Sequence, residues 1–94
     1  MFGSALQKIN FAQQIYASRP DHIFLVRGKD LSGRRAWYYV MVDKRKRDAF
    51  KSREGIPSLN LANYGRILYS GFGENPPEDI KNRMAEEYDF NEQP

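Results

Sequence analysis

Four consecutive cations, Lys44-Arg45-Lys46-Arg47, followed by Lys51 and Arg53, form the densest set of chemically capable side chains in this sequence. Asp43 is a good N-cap for a helix over about residues 44–53, with Gly55 as its stop. That helix would carry four positive charges in its first turn, where the macrodipole disfavours each exposed one by about 0.3–1 kcal/mol. Stability alone would place acids there. The charges therefore point to an anion: nucleic-acid phosphates or an acidic protein surface. The blander reading is a solvated helix face that clasps the acidic C-terminal segment of the same chain. Lys44, Arg45, Lys46, Arg47, Lys51 and Arg53 are the candidate phosphate or acidic-partner contacts. A four-residue Lys/Arg run also matches a nuclear-localisation pattern, of very low specificity.

The second constellation is aromatic. Alternation along 34–42 puts Trp37, Tyr39 and Met41 on one face of a strand and Tyr38, Val40 and Val42 on the other. One face must line the core. If helices cover only one side of the sheet, Trp37, Tyr39 and Met41 become a candidate protein interface. Such a face would also suit base stacking, but the chain lacks the glycine-and-aromatic signature of RNA-binding sheets. The alternative is a second core layer, closed by another segment or by a second copy.

Other chemistry is sparse. Gly71-x-Gly73 precedes a helix, as phosphate-binding loops do, yet Glu74, Glu78 and Asp79 would repel an anion, and turn formation explains the glycines better. His22 is the only histidine and there is no cysteine, so no nucleophilic triad and no Cys-containing metal site is available. The carboxylates at 78–79 and 86–89 sit beside nothing that would shift one pKa of a pair, as a general acid requires. No catalytic, cofactor-binding or metal-ligating residue is assigned, and enzymatic activity is not expected.

The elements that position these groups follow from pattern and punctuation. Ser4 can cap a helix to about Ser18, with Leu6, Ile9, Ala12 and Tyr16 at helical spacing; Pro20 breaks it. A strand over 22–28, the turn Lys29-Asp30-Leu31-Ser32-Gly33 and the strand over 34–42 form a hairpin. After the 44–53 helix, a short helical turn fits 58–64 and a third strand fits 65–72. Asn75-Pro76-Pro77 leads into a last helix through about Tyr88, with Glu78 and Asp79 at its positive N-terminus. Its stripe Ile80, Met84, Tyr88 suits packing on the sheet. The expected fold is α+β: one small domain over 1–90 in α-β-β-α-β-α order, with 91–94 a frayed tail. A crossover through the 44–53 helix would make the third strand parallel to the second. The sheet is then three-stranded and mixed, with helices mainly on one face.

Residues 1–70 carry 13 Lys/Arg against 5 Asp/Glu, and residues 71–94 carry 2 against 7. The net +3 hides this segregation, which bears on encounter and partner choice rather than on fold. No apolar run near the N-terminus reaches signal-peptide or membrane-spanning length. A cytoplasmic protein without membrane partners is expected, although secretion without a cleaved signal would leave no mark. The function expected is a small non-enzymatic protein-interaction module, a homodimer or a subunit of a larger assembly. The alternative is a nucleic-acid-binding domain that uses the basic 44–53 segment.

Overall fold

The computed structural model describes residues 8–9, 11–17, 22–52 and 59–90. Its centre is the hairpin of β3 (Ile23–Lys29) and β4 (Arg35–Val42), paired from Ile23↔Met41 to Lys29↔Arg35. The turn is closed by Asp30, whose Oδ1 accepts from the Ser32 and Arg34 amides and from the Ser32 hydroxyl. Gly33 supplies φ +88°, a left-handed conformation that glycine adopts without a steric penalty. These local hydrogen bonds, led by that from the Ser32 hydroxyl, hold the Asp30 carboxyl below its ordinary pKa.

β6 (Gly65–Phe72) joins the outer side of β4, and β2 (Phe11–Ala17) the outer side of β3. Every pairing in this four-stranded sheet, ordered β2-β3-β4-β6, is antiparallel. The parallel third strand expected from sequence is thus corrected. The reason lies in the connection: after Asp43 come a 3₁₀ turn (Lys44–Lys46) and α1 (Arg47–Lys51), which replace the longer helix expected over 44–53. A five-residue helix rises only about 7.5 Å, so it does not itself span the sheet as a crossover helix would. The excursion instead returns where it left, and the Asp43 amide bonds the Tyr64 carbonyl at 2.8 Å. Asp43 does cap this turn, its side chain accepting from the Arg45 amide. Arg53, Gly55 and the 91–94 tail lie outside the described residues.

The helix expected from Ser4 to Ser18 also falls partly outside them. Where the backbone is described, Lys8–Ile9 (β1) and Phe11–Ala17 are extended. β1 pairs with β5 (Leu59–Asn60), while β2 supplies the second neighbour that the central strand β3 needs to satisfy its backbone groups.

Both faces of the sheet are covered, not mainly one. On the first face Phe24, Val26, Ala36, Tyr38, Val40 and Val42 pack with Phe50 of α1 and with Leu61, which sits in the 3₁₀ turn Leu61–Asn63. On the second, Ile23, Leu25, Trp37 and Tyr39 pack under Met84 of α2 (Glu78–Tyr88) and under Phe90. Ile80 and Tyr88 flank Met84 in the same cluster, so the helical stripe read from sequence is the one that docks. Asp89, at φ 55°, turns the chain so that the Phe90 amide reaches the Met84 carbonyl at 3.0 Å, which brings the Phe90 ring to 5.2 Å from that of Tyr39. No described helix is long and apolar enough to cross a membrane.

Candidate functional site

The alternation read for β4 holds, but its consequence reverses. Trp37 and Tyr39 are 4% and 1% exposed beneath α2, and Met41 is partly buried against the same cluster. They form the second core layer rather than a free interface. Sequence patterning could place them on one face; only the docking of α2 decides that the face is closed.

The basic residues stay at the surface. Lys44, Arg45, Lys46 and Lys51 are exposed and Arg47 half-buried, on the first-face side because α1 is anchored there by Phe50. Two of the cations have local acids: Arg45 lies 3.2 Å from Asp43 and Arg47 3.4 Å from Asp48. The hydrogen bond from the Arg45 side chain is the main reason the Asp43 carboxyl sits below its ordinary pKa. Lys46 donates to the carbonyl of Asn63 at 2.7 Å, so its ammonium stands beside the start of β6. Glu78, Asp79, Glu86 and Glu87 of α2 lie over the opposite face of the sheet. The charge segregation along the chain thus becomes a separation across the sheet, with α2 packed on one face and α1 on the other.

What the sequence did not single out is the edge of the sheet. Among the described residues β6 has one strand neighbour, β4, and its residues range from half-buried to exposed. The Gly73 amide bonds the Arg35 carbonyl at 2.9 Å. With Ala36 opposite Phe72 and Trp37 opposite Gly71, antiparallel alternation turns the backbone of Ser70 and Phe72 away from β4. Among the described residues no strand takes up those N–H and C=O groups, which leaves an edge of the kind that can accept another strand. Exposed hydrophobic side chains stand beside them: Phe72 at 54% and Leu31 at 56%. Leu31 and Phe72, with Asp30, Ser32, Ala36, Tyr38, Ser70 and Gly71, line a shallow cleft of about 370 Å³. Arg34 stacks over the Phe72 ring at 3.8 Å. Tyr38 also lines the cleft, and burial, then the nearby Asp30 charge, raise its hydroxyl above its ordinary pKa. The signal in sequence was the aromatic end of β6 itself, but recognising an open edge requires the strand order.

A second cleft, of about 350 Å³, lies beside the β6–α2 loop and is lined by Arg27, Gly28, Arg35, Ala36, Gly73, Glu74 and Asn75. Its cations are engaged: Arg27 Nε donates to the Glu74 carbonyl at 2.9 Å, Arg27 Nη2 to Asn75 Oδ1 at 2.7 Å, and Arg35 pairs with Glu74 at 3.6 Å. These contacts hold the loop against the hairpin. Gly73 lies at φ +111°, while Gly71 leaves room for the Trp37 ring, whose Cζ2 stands 2.5 Å from where a Cβ would be. Both glycines of the Gly-x-Gly motif are thus accounted for by backbone and packing. His22 precedes β3 and accepts the Val42 amide through its carbonyl. Among the described residues no three of His, Asp and Glu gather as metal ligands. Comparison with protein-family models, curated proteins and solved structures finds no match for this chain.

Proposed function

We propose that this is a small non-enzymatic protein-interaction module that receives an extended segment of its partner along β6. The observation that supports this reading most directly is the coincidence of an open strand edge with exposed apolar side chains: the outward backbone of Ser70 and Phe72 adjoins Phe72 and Leu31. Strand addition draws its affinity from main-chain hydrogen bonds and its specificity from pockets that take alternate side chains. The Leu31–Phe72 cleft is one such pocket. A second copy paired through the same edge is a special case of this mode and would give a homodimer.

Panning a displayed library of random peptides about twelve residues long, enough to run the length of β6, tests the reading. The expected binders lose affinity for Phe72→Ser and for Ser70→Pro, which removes an outward amide without breaking the ladder to β4. Binders indifferent to both variants, or no binders, would refute it. The nucleic-acid reading rests on the exposed Lys44–Lys46 run, and it requires steeply salt-dependent binding of a mixed-sequence oligonucleotide.

A further inference from the structure

We infer that the segment taken by β6 is acidic. It is an extended strand antiparallel to β6, with a bulky apolar residue first and aspartates or glutamates about six residues later. The inference rests on the edge-docking reading and adds the chemistry of the partner.

The two ends of β6 differ. At the Phe72 end lies the apolar cleft, walled by Leu31, Ala36, Tyr38 and Phe72. Its one carboxylate, Asp30, is bonded within the turn and the Arg34 guanidinium lies on the Phe72 ring, so the charges at this end already have partners and the remaining walls are apolar. The fitting group there is uncharged and apolar. At the Gly65 end stand the cations of residues 44–51, on the same face as the cleft, since Phe50, Ala36 and Tyr38 share one core cluster. Asp43 and Asp48 engage Arg45 and Arg47, whereas Lys44, Lys46 and Lys51 have no carboxylate partner among the described residues. The Asn63 bond fixes Lys46 next to the first residue of the strand. From Gly65 to Phe72 is seven residue steps, one of them taken up by the bulge between Ile67 and Tyr69, which leaves a span of about 20 Å, or about six residues of a regular partner strand, between the apolar anchor and the acids. Antiparallel addition continues the pairing of every described strand in this sheet. It orders the partner with its apolar residue N-terminal to its acids. A peptide suits the site better than a polynucleotide because the open edge offers alternating donors and acceptors, and phosphates can use only the donors.

The test is the sequence content of those displayed peptides whose binding depends on Phe72. Acidic residues are expected to be enriched C-terminal to an apolar one. For a synthesised member of that set, Lys44→Glu with Lys46→Glu should weaken binding about tenfold, the sum expected of a few exposed ion pairs. Reversing the peptide's order should weaken it similarly, and added salt should weaken the wild-type complex. The melting temperatures of the variants show that the fold persists, and Lys44→Gln with Lys46→Gln gives the charge-removal control. Phe72-dependent peptides without acidic enrichment, or acidic ones indifferent to the lysine variants, would overturn the inference while leaving edge docking intact. Absence of any Phe72-dependent peptide would overturn both. A single-stranded oligonucleotide that displaces the peptide at concentrations below the peptide's own Kd would overturn the inference in favour of phosphate recognition.

Discussion

Replacing Gly71 by alanine should destabilise the domain, and the size of the effect can be worked from the packing around it. An alanine Cβ would stand 2.5 Å from Trp37 Cζ2, 2.9 Å from Cε2 and 3.3 Å from Cη2. The indole has little room to retreat, because Trp37 is 4% exposed and its ring meets that of Tyr39 at 6.0 Å. Overpacking of this kind costs about 1–3 kcal/mol. Against it stands the smaller conformational entropy that alanine loses on folding, a gain of about 0.4–1 kcal/mol where the site accepts a side chain. The clash wins. A net loss of about 1–2 kcal/mol corresponds to a melting temperature lower by about 5–15 °C for a domain of this size. Circular dichroism measures this, and the single tryptophan gives a second probe at the site itself. The decisive measurement is a double-mutant cycle with Trp37→Phe. The smaller ring removes the clashing atoms, and it also removes the buried Nε1–H, which lacks a partner among the described residues. In that background Gly71→Ala should cost at least about 1 kcal/mol less. An unchanged or raised melting temperature in the single variant would refute the argument, as would strict additivity in the cycle.

Three further outcomes are expected. Trp37→Ala and Tyr39→Ala should each cost about 3–5 kcal/mol in denaturant unfolding; a variant that keeps its stability would restore the exposed-interface reading for that residue. Gly33→Ala meets no atom within 4 Å, so its cost should be conformational alone, about 1 kcal/mol, and Gly33→Asn should lose less. Acid should weaken the fold through Asp30 and Asp43, whose folded pKa values lie below the unfolded one. Their contribution is complete above the unfolded value of about 3.9 and is lost as pH falls through the folded values. The melting temperature of the wild type should therefore fall more steeply between about pH 5 and pH 2 than that of Asp30→Asn with Asp43→Asn; parallel curves would contradict the assignment.

Much of the local structure is legible in the residues. Strand β6 over 65–72 and helix α2 through Tyr88 fall where pattern and punctuation place them, because each is bounded by chemistry that acts within a few residues: Gly65, the Gly73–Pro77 run and the acids at the helix start. The face assignments of β4 hold for the same reason, since alternation is a property of the backbone. The misreadings share a cause. The helix expected over Ser4–Ser18 gives way at Phe11–Ala17 to a strand, because pairing with the central hairpin outweighs a modest helical spacing. The parallel crossover failed because the chain returns to the end of β4 that it left, the Asp43 amide bonding the Tyr64 carbonyl, a long-range contact that propensity does not fix.

The sequence by itself determined which residues are apolar on which face of β4 and α2, where the turn of the central hairpin falls, and that positive charge precedes negative charge along the chain. Tertiary structure alone decided what those faces meet. It closed the Trp37–Tyr39 face with α2, put the basic and acidic segments on opposite sides of the sheet, and left β6 at the edge of the sheet that the described strands form. Strand order and helix docking depend on contacts between residues tens of positions apart, and no local periodicity encodes them. The candidate site moved accordingly, from an aromatic strand that proved to be core to an open edge that becomes visible once the strands are ordered.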